Sequence, residues 1–363
     1  MKKKINHILP ALVLTASLGL TTVSCNGFLD EMPDNRTELN TDQKIAKLLV
    51  SAYADVSPNE LFELYSDNSD DSGPTYGYYK LSEQECYHWQ DTKEEYQDTP
   101  NSLWGGYYSA IAAANMALNA IEEKGNPASL DPQRGEALVC RAYCHFMLAN
   151  IFCNAYDTHA SQSLGVPYME EVETTVSPRY ERGTLEEVYR KVERDLLEGI
   201  DLISDDSYSV PKYHFTRKAA YAFAARFYLY YMKPDFSNCD RVIDFATRVL
   251  GTNPADLLRN WEALGNLSVN GNVQADAYIA SSNEANLLIS STVSNWGAIG
   301  SDYLIGPRYF HNQTLATSET CLSSGLWGSS DYFYLKPFST NGFVASILRK
   351  SGLYEGTYLY YMP

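Results

Sequence analysis

The sequence predicts a mainly helical protein: helical hairpins stacked side by side in an α-α superhelix, with long, irregular, aromatic-rich loops and minor β structure. Three observations point there. Between residues 41 and 251 apolar side chains recur three and four positions apart, the spacing of one helix face. Cap residues precede those runs, and Gly or Pro follows them. After Gly251 the periodicity fades and Ser, Asn, Gly and aromatics take over.

Residues 1–24 are laid out as a secretory signal. Lys2, Lys3 and Lys4 give a positive start, Ile8 to Leu20 a short apolar core, and Thr22, Val23 and Ser24 lead to Cys25. That core is shorter than the roughly 20 apolar residues a spanning helix needs. Thr22-Val23-Ser24-Cys25 is similar to a lipobox, with Thr22 where Leu is commoner, so Cys25 is the expected lipidation site. A plain signal peptide cut at a nearby small residue is the alternative. With no second apolar span, lipid is the expected anchor, and each buried methylene contributes about 0.8 kcal/mol. Residues 25–40 are polar, without period, and read as a tether.

The body begins at residue 41. Asn40 with Gln43 predicts a helix cap, and Ile45, Leu48, Leu49, Ala52 and Val56 follow at helical spacing until Pro58. Residues 59–100 read instead as a long structured loop. Asp67 to Pro74 is rich in turn formers, and Tyr76, Tyr78, Tyr79, Tyr87 and Trp89 argue against disorder. Five helical stretches come next. Trp104, Tyr107, Ile111, Ala114, Leu118 and Ile121 mark a face ending at Gly125, and Asp131-Pro132 opens the second helix. Thr184 with Glu187 is a capping box, Thr216 opens the helix Ala219 to Met232, and Asn238 caps a shorter one closed by Gly251. Paired amphipathic helices with small residues at their contacts suggest stacked hairpins, as in tetratricopeptide arrays. Residues 252–363 read as irregular excursions on this frame, with Glu284 to Ser290 as a candidate short strand.

Charge narrows the partners. Lys and Arg number 28 against 45 Asp and Glu, a net of −17, and residues 1–24 carry away three of the lysines. So acidic a surface argues against nucleic acid, whose binding requires neutralised phosphates, and against adsorption on anionic lipid. It suits a neutral or cationic ligand. Of seven cysteines, Cys140 and Cys144 lie one turn apart in a helical pattern and Cys153 near its end. Core packing is expected of them ahead of disulfides or zinc.

An ordered series of segments resembles the SusD/RagB family of outer-membrane nutrient-binding lipoproteins, the starch-utilisation-system type. It starts with Cys25-Asn26-Gly27-Phe28-Leu29-Asp30 and the helix over 41–56. Asn101-Ser102-Leu103-Trp104 then runs into Ile111-Ala112-Ala113-Ala114-Asn115. Glu136-Ala137-Leu138-Val139-Cys140-Arg141-Ala142-Tyr143 and Leu164-Gly165-Val166-Pro167-Tyr168 follow. Thr184 to Leu202, Thr216-Arg217-Lys218-Ala219-Ala220 and Arg226-Phe227-Tyr228-Leu229 complete the series. The resemblance implies a helical region over 41–251 with four tetratricopeptide-like hairpins, and a loop-rich region over 252–363. It implies non-catalytic capture of oligosaccharide, or in some members peptide, at the cell exterior. The implied partner is a SusC-type TonB-dependent outer-membrane barrel, on which the lipoprotein sits as a lid. Asp30-Glu31 lies where acidic residues are associated with export to the exterior. The chain stops at Met362-Pro363 where family members run on into a final hairpin, so the resemblance implies an incomplete C-terminal region.

Sugar recognition needs flat apolar rings for the pyranose face and polar side chains for the hydroxyls. The helix-face aromatics Trp104, Tyr107, Tyr143, Tyr189 and Tyr228 read as packing. Trp89, Trp296 and Trp327 stand in loop-like sequence and are the candidate ligand contacts. Asp67, Asp70 and Asp71 are candidates to face hydroxyls or to hold calcium, with a solvated turn as the plainer role. An EF-hand is excluded by Ser72, which stands where that loop needs Gly. No cofactor is expected. The absence of Gly-x-Ser-x-Gly, His-Glu-x-x-His or a phosphate loop argues against catalysis. Two other readings stay open: a structural lid or adaptor that binds the barrel but no ligand, and a surface glycoside hydrolase with an unrecognised carboxylate pair.

Overall fold

The computed structural model describes residues 39–74, 80–175, 178–267, 273–294 and 308–310. Cys25, Trp296 and Trp327 lie outside them, as does nearly all of the predicted signal and tether. From Asn40 onward the described residues belong to one unit.

Helix α1 spans Asp42–Leu48 and tightens into a 3-10 turn over Leu49–Ala52. Its cap is Thr41, whose hydroxyl accepts from Lys44 N–H, one residue later than predicted. Asn40 instead takes the Lys44 ammonium on its side-chain oxygen at 3.0 Å. The region 59–100, expected to be loop, holds α2 (Asn59–Leu64), β1 (Asp70–Asp71) and α3 (Leu81–Tyr87). Helices of six and seven residues are too short for a 3.6-residue period to repeat. The antiparallel partner of β1 is β2, Tyr309–Phe310, far along the chain. Neither signal is available to local reading.

The long helices fall where the caps placed them. Helix α4 (Pro100–Glu123) starts at Thr99 and ends at Gly125, whose φ of +82° suits glycine. Helix α5 runs over Asp131–Phe152. Helix α6 (Leu185–Leu202) opens on the Thr184–Glu187 capping box, and α7 (Arg217–Tyr230) on Thr216. Helix α8 (Cys239–Leu250) ends at Gly251. Asn238 precedes α8 but makes no side-chain cap; its amide turns back to donate to the Tyr231 carbonyl.

Helix α5 packs between α4 and α6, and α7 packs against α8. The central position of α5 explains its composition: small and apolar residues from Gly135 to Ala149 are buried almost without break. Where α5 meets α6 the backbones nearly touch. A Cβ at Gly199 would lie 2.7 Å from the Gly135 carbonyl oxygen and 2.7 Å from Val139 Cγ2. Cys140 and Cys144 are buried, free thiols in this core, as packing residues should be. The protein is thus mainly helical.

Among the described residues beyond Gly251 are two short α-helices, α9 (Trp261–Gly265) and α10 (Val273–Ile279). Glu284 to Ser290 is irregular rather than the expected strand, and no strand among the described residues pairs with it. Ile289 N–H donates to the Lys212 carbonyl, and Val293 makes an isolated bridge with Val56. Among the described residues, no helix is long and apolar enough to cross a membrane.

Candidate functional site

Two of the short helices end in aromatic rings that meet. Tyr65 follows α2 directly and Trp89 stands two residues beyond α3. The rings stack with centroids 4.5 Å apart and planes 13° apart. Trp89 is 72% exposed, so the indole face turned away from Tyr65 meets solvent. Its φ is +54°, a left-handed conformation that costs a non-glycine residue about 1 kcal/mol or more. Two backbone bonds hold it there. Trp89 N–H donates to the Cys86 carbonyl at 2.9 Å and Gln90 N–H to the Glu85 carbonyl at 2.7 Å, the paired bonds of a Schellman ending. Glycine usually takes this position. Behind the indole, the Tyr65 phenol meets the Cys86 thiol. Burial pushes the phenol up to about 12 and the thiol up to about 11, so both stay neutral.

The aspartates lie on the same side of the chain order but in different roles. Asp67 is exposed in the turn after α2. Asp70 accepts from Asp71 N–H at 2.8 Å. Asp71 receives the Arg308 guanidinium as a fork, with Nε and Nη2 each 2.6 Å from a carboxylate oxygen. That hydrogen bonding holds the Asp71 carboxyl below its usual range. A calcium ion at Asp71 would have to displace the guanidinium, and no cluster of three His, Cys, Asp or Glu among the described residues fits a metal ion. The fork ties β1 to β2, where Tyr309 packs on Tyr87 with ring centroids 4.7 Å apart.

At the starts of the same two helices lies a buried charged cluster that sequence reading missed. Glu60 comes from α2, Glu83 and Glu85 from α3, Lys80 caps α3, and Asp98 leads into α4. Lys80 Nζ is 3.9 Å from Glu60 Oε1 and 3.6 Å from Glu83 Oε1. Among the buried atoms without a hydrogen-bond partner are Lys80 Nζ, Glu60 Oε2, Glu83 Oε1 and Glu85 Oε1. Burial pushes the Glu60 carboxyl up to about 8, against the pull of Lys80, and the Glu83 carboxyl also rises. Two pieces of the following segment are strapped to α3: Glu85 accepts from Lys93 N–H at 2.9 Å and Glu94 from Ser82 N–H at 3.1 Å.

Other places compete less well. An open cavity of about 450 Å³ lies between the start of α7 and the end of α8, lined by Arg217, Lys218, Tyr221, Arg248, Asp205 and Asp256 among others. Its charges are mixed, and its one ring, Tyr221, already carries the Arg248 guanidinium at 5.4 Å. Trp104 rests on Phe152 and Tyr108. Tyr107, Tyr189 and Tyr228 are buried, consistent with packing.

Residues 27–229 match a SusD-like family model described as starch-binding, associating with outer membrane. Among solved structures, the chain is similar to a SusD superfamily protein from Bacteroides vulgatus at 20% identity and TM-score 0.52, covering 77% of this chain and 63% of that one. It is also similar to a SusD-like carbohydrate binding protein from the same organism, at 15% identity and TM-score 0.52, covering 74% of this chain and 56% of that one. At such identities the likeness shows the fold. The chain spans 48%, 54% and 63% of the length of three such solved structures. No curated protein matches the sequence.

Proposed function

Because the chain belongs to the SusD-like family, we propose that it captures oligosaccharide at the cell surface without chemistry of its own and passes it to a TonB-dependent outer-membrane transporter. The observation that carries this reading is the exposed Tyr65–Trp89 ring pair on strained backbone. A rigid indole offers a flat apolar face to a pyranose and loses little side-chain entropy on binding. Trp89 is the proposed central contact. Trp296 and Trp327 are proposed as further rings, and Asp67 and Asp70 as hydroxyl acceptors. Asp71 is proposed to act through its fork with Arg308, which sets the loop that carries Asp70. The proposal includes tetratricopeptide-like stacking of the hairpins, lipid on Cys25 as the anchor at the exterior, and a SusC-type barrel as the partner.

Calorimetry on the full chain with maltooligosaccharides and a panel of other glycans and peptides tests this. Trp89→Ala is expected to weaken binding by about 1 to 3 kcal/mol, by analogy with base stacking on aromatic side chains. Unchanged affinity would remove Trp89 from the site. Binding to peptide alone would change the ligand class. No binding anywhere on the panel, with the barrel still held, would leave a structural lid. Release of reducing sugar, lost on changing one carboxylate, would make the protein a hydrolase. Cys25→Ala should move the protein from the membrane to the soluble fraction.

A further inference from the structure

The ring pair and the charged cluster occupy opposite ends of the same two struts. Helices α2 and α3 pack against each other. At six and seven residues, each is about 10 Å long at 1.5 Å per residue. Glu60 sits in the first turn of α2, and Tyr65 follows its last residue. Lys80 precedes the first residue of α3, and Trp89 lies just past its end. Charged groups therefore hold the helices together at their starts, and the rings meet at their ends. A change in separation at the starts is carried along helices too short to bend.

The chemistry at the charged end depends on one proton. Glu60 is 4% exposed and Glu83 3% exposed. The titratable groups facing Glu60 among the described residues are Lys80 and Glu83 from α3, Asp98 on the approach to α4, and the Cys86 thiol. Asp98 adds a second carboxyl beside Glu60 and raises the Glu60 carboxyl further. With Glu60 protonated, Lys80 stands between a neutral carboxyl and Glu83. With Glu60 ionised, three carboxylates face one ammonium that makes no hydrogen bond to any of them.

We propose that Glu60 and Lys80 are positioning residues, a proton-sensitive clamp that sets the spacing of α2 and α3 and thereby the Tyr65–Trp89 stack, so that ligand capture follows external pH. The effect on capture rests on the reading of Trp89 as a ligand contact; the effect on the stack does not. Protonation favours the closed stack. Burial places the Glu60 transition near 8, so affinity is expected to fall as pH rises through that value.

Two readouts on the full chain separate these parts. The first is near-ultraviolet circular dichroism from about pH 6 to about pH 9, with Trp89→Phe subtracted to isolate the stacked indole. The wild type should change with a midpoint near 8, and Glu60→Gln, always neutral and nearly the same shape, should stay flat. The second is maltooligosaccharide affinity over the same range. It should drop about tenfold in the wild type, the equivalent of about 1.4 kcal/mol, and not in Glu60→Gln. Lys80→Met removes the ammonium that pulls the Glu60 carboxyl down, so the midpoint should move to higher pH. A flat wild-type dichroism profile, or a Glu60→Gln profile that still titrates, overturns the clamp. A titrating stack with no glycan bound at any pH keeps the clamp and overturns the glycan reading. Should Glu60→Gln fail to fold, the wild-type and Lys80→Met midpoints decide: identical midpoints refute the clamp.

Discussion

Arg141 and Lys80 are both buried cations that face carboxylates, and their surroundings differ in what is finished. Arg141 donates to Asp195 at 2.6 Å and to Asn115 at 3.0 Å. Asp195 also accepts from the Tyr168 hydroxyl at 2.7 Å. Burial alone would lower the Arg141 pKa, and the Asp195 carboxylate outweighs it and raises it. His145 completes the set: it pairs through Nδ1 with the Arg141 carbonyl at 2.9 Å and accepts from Met169 N–H on Nε2 at 3.0 Å. Those partners fit a single neutral tautomer, with the proton on Nδ1. Lys80 has no such bonds, and its neighbours Glu60 and Glu83 each leave a buried oxygen unmade. The first cluster stands where α4, α5 and α6 meet and behaves as frame. The second stands at the starts of helices of six and seven residues whose far ends carry the rings. A completed network rigidifies what it touches, whereas an incomplete one gives up stability, and proteins concede that mostly at working sites.

The contrast can be broken most forcefully from the frame side. Asp195→Ala should cost about 3 to 5 kcal/mol in a urea unfolding measurement, because it strands the Arg141 charge in the core. A loss below about 1 kcal/mol, the range of an exposed pair, would mean that the network is not the keystone its geometry implies. Gly199→Ala comes next. The added methyl has no room between Gly135 and Val139, and overpacking of this kind typically costs about 1 to 3 kcal/mol. If this variant melts like the wild type, α5 and α6 do not approach as closely as described.

Acid and base should attack the two regions separately. Burial lowers the His145 pKa from 6.5 to about 3, so the unfolded chain binds the proton more readily. Its contribution is present above 6.5 and is lost as pH falls through the interval toward 3. Glu60 works in the opposite sense. Its carboxyl rises from 4.5 to about 8, the folded chain binds the extra proton, and stability falls as pH rises through that interval. Each group gives a slope of at most about 1.4 kcal/mol per pH unit. Denaturant unfolding at a series of pH values should therefore show Glu60→Gln removing the fall between about 4.5 and 8 and leaving the slope below 4.5 intact. The reverse result would mean that the two clusters have been assigned the wrong roles.

The frame was legible because its signals are local. Thr99, Thr216 and the Thr184–Glu187 box act within three residues, and Gly125 and Gly251 end helices by their own φ. Asn40 and Asn238 misled because a better cap or a better partner lay nearby: Thr41 for one, the Tyr231 carbonyl for the other. The site was legible only in part. Trp89 stood out as tryptophan in loop-like sequence, but its stacking partner Tyr65 is 24 positions away, and the Arg308 fork on Asp71 spans 237. Glu60, Glu83 and Lys80 look like ordinary surface charges until α2 and α3 fold over them. Trp89 follows α3 at the position where glycine is the usual choice, but a seven-residue helix leaves no repeat in the sequence to reveal that position.

That position offers the finest test of the contrast. Removing the ring in two ways separates what Trp89 does for folding from what it does for binding. Trp89→Ala deletes the stack on Tyr65 and keeps a Cβ in the left-handed conformation. Trp89→Gly deletes the same stack and also releases the backbone cost at φ +54°. If the strain is real, the glycine variant should be the more stable of the two by about 1 kcal/mol in thermal or urea unfolding, net of the extra freedom glycine gains when unfolded. Both variants should lose ligand affinity to the same extent, since neither presents a ring. Equal stability would mean that the Schellman ending accepts tryptophan at no cost. The inference from strain to function would then fail at its first step, even if the ring still touched sugar.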